Sequence, residues 1–108
     1  MFYQVQQVRV DRRNRRLYLL IHFWRTRAAF ELGRPPVLIN DFILGLSKER
    51  IREEIRDIIL GYWRRWRDIL PPGTGHSHVD ATIPVDPVDP DLTEFSVLEG
   101  TTREVAAE

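Results

Sequence analysis

Cysteine is absent from these 108 residues, which excludes disulfide staples and thiol chemistry. Lysine is nearly absent too: of 16 basic residues only Lys48 is a lysine, and the rest are arginine. No apolar run is long. The longest uncharged one, Leu17 to Trp24, is interrupted by His22 and falls far below the ~20 residues that cross a bilayer. No membrane partner is therefore expected. A secretory signal is missing as well, since MFYQVQQVRV alternates apolar and polar residues instead of placing basic ones ahead of an apolar block. No serine nucleophile comes with a base at a recognisable spacing, and there is no glycine loop for phosphate. The chain is expected not to be an enzyme and to need no cofactor.

The charge that is present is divided at a double proline. Residues 1–70 carry 15 basic and 8 acidic residues, a net of +7. Residues 71–108 carry one basic residue, Arg103, against 8 acidic ones, a net of −7. The formal zero thus joins a basic body to an acidic, proline-spaced arm, and the two suit each other electrostatically within one molecule or between neighbours. The preference for arginine has two readings. One is a GC-rich coding sequence; the other is bidentate pairing with carboxylates or phosphates. A core drawn from about 70 residues is marginal without a disulfide, a metal or a partner. With disulfides excluded, a partner is the expected source of further stability.

Residues 2–10 read as a strand whose phase slips. Tyr3 and Val5 share one parity and Val8 and Val10 the other, which predicts a bulge at Gln6-Gln7. Asp11 to Arg16 is a polar turn. Leu17–Thr26 reads as a second strand, with Leu17, Leu19, Ile21 and Phe23 on one face and Tyr18, Leu20, His22 and Trp24 on the other. Both faces are largely apolar, so the strand is expected to be covered on both sides. Arg27–Leu32 suits a short helix capped by Gly33. Val37–Leu46 is open between strand and helix, because periodicity does not decide so apolar a run. A long helix is expected over Lys48–Leu70, capped by Ser47. Its stripe comprises Ile51, Ile55, Ile58, Ile59, Tyr62, Trp66, Ile69 and Leu70. Gly61 inside it implies close approach of another backbone.

Beyond Pro72 the character changes. Gly73-Thr74-Gly75 reads as a flexible joint. Val-Asp-Pro occurs at 85–87 and again at 88–90, a spacing that favours polyproline II. Val85 and Val88 then share one edge and Asp86 and Asp89 another. Phe95, Val97 and Leu98 suit a short strand, and Thr101 with Glu104 suits a capped final turn.

Four constellations carry chemistry. His76-Ser77-His78-Val79-Asp80 resembles the His-x-His-x-Asp part of metallo-β-lactamase-fold hydrolases, but Ala81 stands where that family has a further histidine. A hinge with two incidental histidines is the reading adopted, with no metal expected. Tyr62 to Arg67 interleaves aromatics with arginine. Trp63, Arg64, Arg65 and Arg67 are candidates to receive the acidic arm, with nucleic acid, a membrane surface and a plain solvated helix face as alternatives. Arg12, Arg13, Arg15 and Arg16 are candidate phosphate contacts, or an ordinary hairpin tip. Glu49, Glu53, Glu54 and Asp57 are interleaved with Arg50, Arg52 and Arg56, which reads as salt-bridge lacing and not as an acid/base pair.

The expected whole is an α+β body over 1–70, an N-terminal β-hairpin packed with one long amphipathic helix, followed by an extended arm over 71–108. The expected role is a structural subunit of an oligomeric assembly, most concretely a capsid, connector or tail protein of a tailed-phage virion, located in the virion or the cytoplasm. Its partners would be copies of itself or other subunits, met through Val85, Asp86, Val88, Asp89, Phe95, Val97 and Leu98. The alternative is a small nucleic-acid-binding regulator whose acidic tail competes for the basic body.

Overall fold

The phase slip at Gln6-Gln7 is a bulge. In the computed structural model, which describes residues 1–11, 13–47, 55–75, 82–84 and 99–105, strand β1 (Phe2–Asp11) pairs antiparallel with β2 (Arg16–Trp24), and the register shifts between Val5 and Gln7. Tyr3 faces Phe23 and Val5 faces Ile21 before the shift; Val8 faces Leu19 and Val10 faces Leu17 after it. Cross-strand partners share a face of the sheet. One extra residue therefore returns Tyr3, Val5, Val8 and Val10 to the same side.

The body is not a hairpin beneath one long helix, as the sequence led us to expect. It is mostly sheet. The open run resolves as a strand, β3 (Leu38–Ser47), antiparallel to β2 along its length. Leu38, Asn40, Phe42 and Leu44 are buried, while Ile39, Asp41 and Ile43 lie on the opposite, wetter side. That alternation, hidden in an apolar composition, is the half-buried strand pattern. β4 (Thr82–Pro84) adds to β3 in parallel, and β5 (Thr102–Glu104) adds to β1 antiparallel. The sheet order is β4-β3-β2-β1-β5.

A short helix, α1 (Arg27–Glu31), follows β2. The Thr26 side chain accepts from the Ala29 amide at 3.2 Å. At the other end Gly33, with φ +73°, donates to Phe30 and Arg34 donates to Ala29. Those two bonds are the Schellman pattern, and they let a helix of 5 residues stand with both ends satisfied.

Helix α2 (Ile55–Trp66) crosses one face of the sheet. Of the expected helix, residues 48–54 lie outside the described residues. The C-terminus stops at Trp66 instead of Leu70, because Leu70 precedes Pro71 and the chain tightens there, Ile69 donating to the Trp66 carbonyl. Ile59, Tyr62 and Trp63 are buried, and Ile55, Ile58 and Trp66 are partly so. The stripe thus sits slightly round from its expected position, and Ile69 is 67% exposed. Gly61 is exposed and meets no close backbone: a Cβ there would find nothing within 4 Å.

The core lies between α2 and the sheet. Phe23 is its centre, with ring centroids of Trp63, Tyr62 and Phe42 at 5.8, 5.5 and 6.3 Å. Burying each such side chain contributes roughly 1.5–3 kcal/mol.

Pieces of the acidic half return to the body. Gly73 donates to the Val37 carbonyl and Ile39 donates to that of Thr74, so the expected flexible joint is tied to the start of β3. Residues 102–104 form β5 and not a capped turn. The Met1 amino group and the Val105 amide exchange hydrogen bonds with each other's carbonyls at 2.8 Å, which fastens β5 beside β1.

Candidate functional site

The two faces of the sheet are covered unequally. α2 closes one. Among the described residues the other is closed at one end only, where Phe30 of α1 packs on Phe2 and Trp24 with centroids 4.7 and 4.9 Å apart. The Trp24 indole also donates to the Arg34 carbonyl at 2.8 Å, fixing the α1 corner against β2. No described element crosses the middle of this second face.

The register lays out what stands there. Arg9, Tyr18 and Ile43 are cross-strand neighbours in one row; Gln7, Leu20 and Asp41 form the next; Gln4, His22 and Ile39 form a third. Tyr18, Leu20, His22, Ile39 and Ile43 are half-buried, while Arg9, Gln7 and Asp41 are exposed. The first two rows line a shallow groove of about 400 Å³. The Arg9 guanidinium lies 4.2 Å from the centre of the Tyr18 ring, a cation–π contact that holds the arginine over the groove. Burial pushes the His22 imidazole below its usual range and so favours the neutral ring.

A groove with an apolar floor and charged rims suits a macromolecular surface. Among the described residues no three His, Cys, Asp or Glu side chains are placed to hold a metal, and no helix is long and apolar enough to cross a membrane. The His76-Ser77-His78-Val79-Asp80 run lies outside the described residues.

The residues singled out from sequence scatter over the molecule. Arg13, Arg15 and Arg16 are exposed at the β1–β2 tip, and Arg12 lies outside the described residues. The tip is built by Asp11, whose carboxylate accepts from the Asn14 amide and side chain at 3.1 and 2.8 Å. The Asn14 side chain is the main reason the Asp11 carboxyl is held below its ordinary value. Arg15 takes φ +52°, in the left-handed region.

Trp63 is 2% exposed and belongs to the core, so it drops out of the surface set. Its neighbours Arg64 and Arg65 are exposed, and Arg65 lies 5.2 Å from the centre of the Trp66 ring. Arg67 is half-buried and pairs with Asp68 at 3.4 Å. Val85, Asp86, Val88, Asp89, Phe95, Val97 and Leu98 lie outside the described residues.

The second sheet face itself was not among the expected sites. Its signal was the doubly apolar β2: Tyr18, Leu20 and His22 called for a cover that α1 supplies only at one end. No family model matches the chain, and no curated protein and no solved structure matches it.

Proposed function

We propose that this chain is a structural subunit of an oligomeric assembly and that the open face of its sheet meets the neighbour. The observation that carries this reading is the patch of half-buried Tyr18, Leu20, Ile39 and Ile43, with exposed Arg9 on β1 and Asp41 on β3, which no described element crosses. A small domain without disulfides gains from covering such a face. In its most concrete form the assembly is a tailed-phage particle, a reading supported by size, the absence of cysteine and the need for a neighbour. The opposite charges of residues 1–70 and 71–108 support a second contact, made by residues 85–98 on an adjacent subunit.

The alternative, a nucleic-acid-binding regulator, has one observation in its favour. Arg13, Arg15 and Arg16 are exposed together and make no ion pair among the described residues.

Mass in solution separates the two readings. The assembly reading expects wild-type chain to exceed monomer mass and Leu20→Glu to fall to monomer while remaining folded by circular dichroism. A monomer that binds short DNA or RNA with a steep salt dependence supports the regulator instead.

A further inference from the structure

We infer that the occupant of the open face is a second copy of this chain, docked about a two-fold axis that sets Arg9 of each copy against Asp41 of the other. The inference rests on the assembly reading and names its partner.

The strand register carries it. Arg9 stands on β1 in the row of Tyr18 and Ile43; Asp41 stands on β3 in the row of Leu20 and Gln7. The two charges therefore occupy diagonal corners of one patch, with Tyr18 and Leu20 between them. They are opposite in sign, and neither is in an ion pair among the described residues. A two-fold interface is self-complementary: if one residue meets a second across it, the second meets the first. A patch with a cation at one corner and an anion at the diagonal corner satisfies that condition twice over.

The same diagonal sets the geometry. The axis must cross the line from Arg9 to Asp41 at its midpoint and at right angles, passing between Tyr18 and Leu20. With strands about 4.8 Å apart and same-face residues about 6.8 Å apart along a strand, this axis turns the strands of the two sheets roughly 70° from each other. That lies toward the orthogonal mode in which sheets pack face to face. Tyr18 and Leu20 then lie nearest the middle of the patch and form the apolar centre, with the ion pairs at the rim. This is the usual division of an interface into an apolar core and a polar border.

Charge reversal tests it through mixing. Arg9→Asp alone places two like-charged pairs in the dimer, and so does Asp41→Arg alone. Each is expected to weaken association by about 100-fold. An equal mixture of the two variants restores both pairs, as does the double variant, so both should return to dimer mass by light scattering. Failure of either to recover, or single reversals that leave association unchanged, overturns the proposal. A wild-type chain that stays monomeric also overturns it, whether the face is closed by its own residues 85–98 or left open. If Leu20→Glu dissociates the assembly while the reversals do not, the charge exchange is wrong and the open face remains the interface. If the wild-type chain gains mass only with a different subunit, the second copy is wrong and the assembly reading stands.

Discussion

Phe23 and Trp63 are stacked, with ring centroids 5.8 Å apart and planes 19° from parallel. The pair joins β2 to α2 at the centre of the core, and both rings are shut away from water. Trp63→Ala is therefore expected to lower stability by about 3–5 kcal/mol, a large share of the ~5–15 kcal/mol of a typical domain. Urea unfolding measures it. Unchanged stability with impaired assembly would return Trp63 to the surface role that its arginine neighbours imply.

Ile59 and Ile69 belong to one sequence stripe but have different surroundings, 1% and 67% exposed. Ile59→Ala is expected to cost about 2–5 kcal/mol and Ile69→Ala less than about 0.5 kcal/mol. Equal losses in thermal unfolding would place the end of α2 wrongly.

Gly61 and Gly75 should respond to alanine with opposite signs. A methyl at Gly61 meets open space inside a helix, so Gly61→Ala is expected to stabilise by about 0.5–1 kcal/mol. A methyl at Gly75 would overlap the Ile39 carbonyl. Gly75→Ala should lift Pro71–Gly75 off β3, at a cost of roughly 1–3 kcal/mol. Hydrogen exchange reads this out as lost protection of the Ile39 and Gly73 amides, whose bonds hold the segment. Retained protection would count against the close approach.

Burial pushes the Tyr62 hydroxyl up to about 12 from its ordinary 10.0. A folded pKa above the unfolded one means that the folded chain holds the proton more tightly. The associated stability is full below pH 10 and is lost as pH rises toward 12. The raised Tyr3 hydroxyl, also shifted mainly by burial, acts in the same direction. Comparing urea unfolding at neutral pH with unfolding well above pH 10 should show a smaller alkaline loss for Tyr62→Phe than for wild type. An equal loss would mean that Tyr62 is not shielded from water.

Much of the local structure was legible in sequence because it depends on neighbours along the chain. The parity slip at Gln6-Gln7 announced the bulge, and Gly33 announced the C-terminal end of α1. What failed depended on distant partners. Leu38–Ser47 is a strand because β2 offers it a second edge, and an apolar run does not state its partner. Residues 102–104 look polar and turn-like, yet β1 presents an edge to them. The open face was half legible. A strand apolar on both sides demanded two covers, but only the folded arrangement shows that α2 supplies one and α1 a fraction of the other. Nothing in the sequence links Arg9 to Asp41; the register sets them at opposite corners of one patch.

The absence of cysteine makes the central claim directly measurable, since any introduced thiol is the sole one in the chain. Leu20→Cys places it at the middle of the open face, close to the proposed axis; Ile69→Cys places it on an exposed position outside that face. Each variant is treated with a short bifunctional thiol cross-linker at dilute concentration and weighed by mass spectrometry. The account predicts covalent dimer from Leu20→Cys and monomer from Ile69→Cys. Monomer from both, or equal dimer from both, would contradict it.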